Sequence, residues 1–134
     1  MSEEEVKKEE ELAPDKEMVQ LLDKLPNRPG QEQIDGWKAV YGDVFVSGFS
    51  EEELYVWRSL TRKEYINLQT TGQETGMNQF QMEEATCGVC VLWPENIEEC
   101  LQKKAGTAGS LHEQILQNSN FFSPQAASIL VAKL

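Results

Sequence analysis

Residues 43–58 read DVFVSGFSEEELYVWR, two runs rich in Val, Phe, Tyr and Trp on either side of a serine- and glutamate-rich stretch. Apolar and polar side chains alternate along both runs, the period-two pattern of strands. This predicts a β-hairpin, about 43–48 and 53–58, with Ser47, Gly48 and Ser50 near the turn. Thr61 to Glu64 then reads as a capping box, with Leu60 and Tyr65 at the two positions of a hydrophobic staple. A helix over about 62–69 should therefore follow the hairpin directly.

The other segments read as helices and breaks. Residues 1–16 are dominated by Glu and Lys, which make up eight of the thirteen residues before Pro14. They hold too little apolar surface to offset the entropy of ordering, so a flexible acidic tail is expected. A short amphipathic helix, about 16–24, carries Met18, Leu21, Leu22 and Leu25. LPNRPG, with two prolines and a glycine, marks a linker. Residues 17–30 are thus a helix and linker, and 31–134 a single globular domain. Ile34, Trp37, Val40 and Tyr41 recur at helical spacing, with Gly42 placed to end the helix. TTGQETGMN, 70–78, reads as a polar loop. A helix over about 79–92 should stop at Pro94, and another, about 95–104, presents Ile97, Cys100 and Leu101. Ala105 to Gly109 is a small-residue turn. Ser110 and Glu113 form a second capping box, opening a helix to about 118 with Leu111, Ile115 and Leu116 inward. Asn120-Phe-Phe is a bend, and Ser123-Pro124 should start a C-terminal helix with Ile129, Leu130 and Leu134. The expected fold is α+β and mostly α: a β-hairpin packed against about five short helices, with the acidic tail outside.

Charge narrows the partners. The net charge is −11 over 134 residues, and residues 1–24 alone hold nine acidic and four basic side chains. A nucleic-acid backbone needs clustered Lys and Arg, so none is expected as a partner. No apolar run approaches the ~20 residues of a membrane span. The opening MSEEEVKKEEEL lacks the apolar stretch of a secretory signal, so three cysteines are expected as reduced thiols in a cytosol.

TCGVCVLWP, 86–94, holds two of those cysteines at CxxC spacing. With Cys100 and His112 they form C-x2-C-x9-C-x11-H, the one set that zinc could use. A structural zinc site commonly takes two close ligand pairs on turns. Here there is one pair, inside an expected helix, with apolar neighbours and no carboxylate nearby in sequence to orient a ligand. A redox pair would sit at a helix start after a strand. Cys87, Cys90 and Val91 share one helix face, Val89 and Trp93 another, so the stretch reads as a core helix with cysteine acting as a small hydrophobe.

Other chemistry is sparse. His112 follows a helix N-cap and has no nucleophile motif beside it, which favours a surface or capping role. Glu51–Glu53, Glu83–Glu84 and Glu98–Glu99 read as solvated faces. No phosphate-binding glycine loop, dinucleotide fingerprint or nucleophile elbow is present, and no enzyme, cofactor or catalytic residue is expected. Arg58, Arg62 and Lys63 in WRSLTRKEY are a local basic exception. They would either pair with Glu51–Glu53 or Glu64, or offer a spot for an acidic partner or for self-association. Trp57, Arg58, Arg62, Lys63 and Tyr65 are the candidate partner-binding residues.

The order WKAVYGDVFVSGF, YVWRSLTRKEYINL, TCGVCVLWPE, AGTAGSLHEQILQNSNF resembles small proteins encoded among the tail genes of tailed bacteriophages. The resemblance covers about residues 34–122. Such proteins are labelled tail assembly chaperones, or small tail or baseplate structural proteins. The resemblance implies a non-enzymatic protein that binds the tape-measure protein, tail-tube subunits or both during tail assembly, in the host cytoplasm. The matching positions are Trp57, Arg58, Leu60, Thr61, Arg62, Glu64 and Tyr65, with Cys90, Val91, Leu92, Trp93 and Pro94. Cys87 is not part of the pattern, and the acidic tail and LPNRPG lie outside it. Two further readings stand beside it: a structural component of the mature virion tail or baseplate, and an acidic DNA-mimic inhibitor of a host protein.

Overall fold

The computed structural model of the protein describes residues 16–121 and 131–134. The fold is α+β and mostly helical. Helix α1 (16–24) is followed by α2 (Gln31–Tyr41), β1 (Val44–Ser50), β2 (Glu53–Arg58), α3 (Arg62–Thr75), α4 (Gln79–Cys90), β3 (Val91–Trp93), α5 (Ile97–Leu101) and α6 (Thr107–Gln117). Residues 1–15 of the expected acidic tail, and the helix expected from Ser123, lie outside the described residues, apart from 131–134, which carry no helix.

The two expected strands pair antiparallel, Val44 opposite Arg58 and Val46 opposite Val56. Their turn is Glu51-Glu52, beyond the serine-rich stretch expected there. The register shifts between Gly48 and Ser50, and this bulge places Phe49 at the surface. The hairpin is not alone. β3 adds to β2, with Trp57 opposite Val91 and Val56 opposite Trp93, so the sheet has three strands in the order β1-β2-β3.

That third strand corrects the helix expected over 79–92. The helix stops at Cys90, and Val91 is already extended, at φ −76° and ψ 123°. Proline disfavours a helical residue before it, and Val, Leu and Trp suit a half-buried sheet. Partner strand β2 supplies the backbone hydrogen bonds that the helix gives up.

β2 is the central strand, and both its faces are covered. Tyr55 and Trp57 point into a core made with Leu60, Cys87, Cys90, Val91, Ile97, Leu101, Ala108, Leu111 and Ile115. Leu54 and Val56 point the other way, against Leu22 of α1, with Ile34 and Trp37 of α2 and Trp93 at the edge. The sheet is therefore a middle layer, α1 and α2 on one side, α4 to α6 on the other. LPNRPG is held in place: Pro29 is fully buried, Arg28 pairs with Asp23 at 3.2 Å, and the Asn27 carbonyl accepts from Trp93 Nε1 at 2.9 Å.

Three boundaries differ from expectation. The capping box on Thr61 forms as read, but α3 runs through Gly72 to Thr75 where a loop over 70–78 was expected. Gly72 is there for close approach: a Cβ would sit 2.5 Å from Met82 Sδ on α4. The helix ends four residues later, at Gly76, whose φ of 70° is left-handed. Asn78 and Gln81 then form an unforeseen capping box for α4. α5 is only five residues, shorter than the helix expected over 95–104. α6 begins at Thr107 rather than at Ser110, because Thr107, Ala108 and Leu111 share the buried face. Ser110 consequently lies inside the helix and caps nothing.

Candidate partner-binding surface

The segment WRSLTRKEY bends from β2 into α3, and its residues divide sharply by exposure. Trp57 is 2% exposed, stacks on Phe45 with ring centroids 4.6 Å apart, and donates Nε1 to Ser47 Oγ at 2.7 Å. Ser47 in turn donates to Gln114 Oε1, tying β1 to α6.

Arg58 is 7% exposed. Its guanidinium takes the Glu64 carboxylate with both prongs, Nη1 to Oε1 at 2.5 Å and Nη2 to Oε2 at 2.8 Å. Nη2 also donates to the Val89 carbonyl at 3.0 Å, and Nη1 to the Ser59 carbonyl at 3.3 Å. The guanidinium lies over the Tyr41 ring, 4.4 Å from its centroid. Only Nε lacks a partner among the described residues. The ion pair, helped by the Thr61 backbone and hydroxyl, holds the Glu64 carboxyl down to about 2, and the same contact raises the Arg58 pKa. Arg58 thus joins β2, α2, α3 and α4, which is the pairing with Glu64 that the sequence offered. The Glu51–Glu53 run does not reach it: Glu53 instead accepts from Tyr55 Oη at 2.8 Å and faces Lys104 at 3.9 Å.

Trp57 and Arg58 are therefore committed inward, and the surface of this junction belongs to Arg62 and Lys63, both exposed. Tyr65 is half-buried between them and Phe121, its ring centroid 5.0 Å from that of Phe121. Exposed apolar side chains stand on the described helices: Val19 at 54%, Val40 at 74%, Tyr41 at 43%, Ile66 at 47% and Phe80 at 69%, so Val40 and Tyr41 of the expected α2 stripe face outward. Ile66 was legible in principle, because Tyr65, Leu68 and Gly72 define the inner face of α3 and Ile66 falls outside it. Phe80 lies in the first turn of α4, ahead of the buried Thr86, Cys87 and Cys90.

The cysteines of TCGVCVLWP face the core. Cys87 and Cys90 are fully buried free thiols, and Cys87 Sγ donates weakly to the Ala108 carbonyl at 3.6 Å. Burial pushes both thiols up to about 12. Cys100 is half-buried on α5, and His112 is half-buried on α6 with its pKa lowered by burial. Among the described residues, no group of three or more His, Cys, Asp or Glu is placed to hold a metal ion. Cys87, Cys90, Cys100 and His112 are not brought together as a ligand set. No described helix is long and apolar enough to cross a membrane.

Comparison with protein-family models, curated proteins and solved structures found no match for the chain.

Proposed function

We propose that the protein is a non-enzymatic morphogenesis factor of a tailed bacteriophage, acting in the host cytoplasm. Its task is to bind the tape-measure protein, tail-tube subunits or both while the tail is built. The reading rests on the resemblance carried by WRSLTRKEY and CVLWP. One structural observation supports it most: large apolar side chains stand exposed on three successive helices, Val40 on α2, Ile66 on α3 and Phe80 on α4. Exposed apolar side chains on a helical scaffold suit contacts with amphipathic helices, which dock by burying one stripe.

Co-expression with the tape-measure protein of the phage that encodes it, followed by affinity capture from either partner, tests the proposal. The two proteins should co-purify, and Phe80→Asp and Val40→Asp should weaken the complex. Absence of association in both orientations would sink it. Mass spectrometry of purified particles separates an assembly factor, which is missing from the finished tail, from a structural tail or baseplate component, which is present.

A further inference from the structure

A groove of about 750 Å³ runs between α4 and α5. Met77, Ala85 and Leu101 supply apolar surface to it, and Glu84, Glu98 and Glu99 line its rim. Gly88 also lines it, and nothing stands within 4 Å of where a Cβ would be, so another backbone can come close. Gln102 Nε2 donates to Glu84 Oε1 at 3.0 Å and ties the two walls together. None of the three glutamates is ion-paired with a described residue.

The outer face of α3 has the opposite character. Arg62 and Lys63 occupy its first turn, exposed and without an ion pair among the described residues. Positive charge at a helix N-terminus opposes the helix dipole, so the stability of α3 does not account for them. One turn further on, Ile66 stands 47% exposed. This face is basic with an apolar centre, whereas the groove is acidic with an apolar floor.

We propose that the protein associates with copies of itself head to tail, the outer face of α3 on one copy seated in the α4–α5 groove of the next. Arg62 and Lys63 meet Glu84, Glu98 and Glu99, and Ile66 enters between Ala85 and Leu101. The two surfaces differ, so the contact is heterologous and propagates into a chain or closes into a ring. The net charge of −11 opposes association at long range. At about 0.15 M salt that repulsion is screened beyond ~8 Å, while contacts at the interface persist.

Sedimentation velocity of the full chain over a concentration series is the test. The wild type should grow beyond the monomer as concentration rises. Arg62→Glu with Lys63→Glu, and separately Glu98→Lys with Glu99→Lys, should each weaken association by more than about tenfold, since like charges then face each other. An equimolar mixture of the two variants should recover it, because each reversed surface then meets its complement. Lys16→Glu with Lys24→Glu, on α1, alters net charge equally and should leave association intact. Ile66→Arg should abolish it while keeping the basic face, with circular dichroism reporting that the fold is kept. The proposal is overturned by a wild type that stays monomeric, by charge-reversed variants that still associate, or by a mixture that does not recover. A groove that takes a basic helical peptide while the chain remains monomeric also overturns it.

Discussion

Arg58 and Glu64 meet across the bend between β2 and α3 in a two-pronged ion pair, with N–O distances of 2.5 and 2.8 Å. The same Glu64 closes the capping box of α3 by accepting from the Thr61 backbone at 3.1 Å. One carboxylate therefore fixes both the start of the helix and the guanidinium that joins the helix to the sheet. Removing either partner should be felt in both places.

Arg58→Met should destabilise the fold by about 3 kcal/mol, because Glu64 is left half-buried without its countercharge. Arg58→Lys should recover only part of the loss, since an ammonium cannot match two oxygens at once. Urea unfolding midpoints measure both.

The pH dependence has a definite sign. The Glu64 pKa is depressed in the folded state, from 4.5 to about 2. Its contribution is therefore present above the unfolded pKa and fades as pH falls from about 5 toward 2. Wild type should exceed Glu64→Gln in stability at pH 6, and the gap should shrink toward pH 3. Solvent at the outer edge of the carboxylate screens the effect, which limits it to the order of 1 kcal/mol. A gap that stays constant from pH 6 to pH 3 would show that the ion pair contributes nothing.

The thiols should separate kinetically. Cys87 and Cys90 are fully buried, with pKa values pushed to about 12, while Cys100 is half-buried. Thiolate is the reactive form. A thiol reagent at pH 8 should therefore titrate one cysteine in the native protein and three in denaturant. Rapid native labelling of two or three would refute the inward placement of TCGVCVLWP.

Local signals were most legible where they agreed with one another. The alternation in DVFVSGF and ELYVWR, the Thr61 cap and the Leu60 staple all act within a few residues, and the strands and α3 begin where they indicate. What escaped depended on distant partners. Val91-Leu-Trp93 follows a helix without a break, and only the open edge of β2 makes it a strand. Gly72 carries the same letter as a loop glycine, and only Met82 across the interface explains its place inside α3. The candidate site divided likewise. Arg62 and Lys63 stand exposed where the sequence left pairing or a partner spot open, and the inward turn of Trp57 and Arg58 depends on Phe45, Ser47, Tyr41 and Val89 from other segments.

The Gly72–Met82 contact gives a mutation whose size depends on its neighbour. Alanine is favoured over glycine inside a helix by about 1 kcal/mol. At Gly72 the new methyl would meet Met82 Sδ, and the flexible thioether must turn aside to admit it. Gly72→Ala alone should therefore gain less than that ~1 kcal/mol. In a Met82→Ala background the obstruction is gone and the same change should stabilise in full. A double-mutant cycle by thermal unfolding measures the coupling, and equal effects in both backgrounds would remove the contact as the reason for this glycine.

The hydroxyl of Ser47 sits between two partners, accepting from Trp57 Nε1 and donating to Gln114 Oε1. Trp57 is 2% exposed and Ser47 is 8% exposed, so neither group can turn to water. Ser47→Ala leaves the indole N–H buried without an acceptor and should cost about 1–3 kcal/mol, although it removes a single oxygen. Gln114 is only half-buried, so its side chain can regain a partner in solvent. Trp57→Phe removes the donor together with packing against Phe45 and should cost more. Once the indole is gone, the Ser47 hydroxyl has only Gln114 to satisfy. Ser47→Ala should then be milder, by about 1 kcal/mol, in the Trp57→Phe background than in wild type. Urea unfolding of the four proteins measures that difference. Strict additivity would mean that the Trp57 indole does not depend on this hydroxyl for its acceptor.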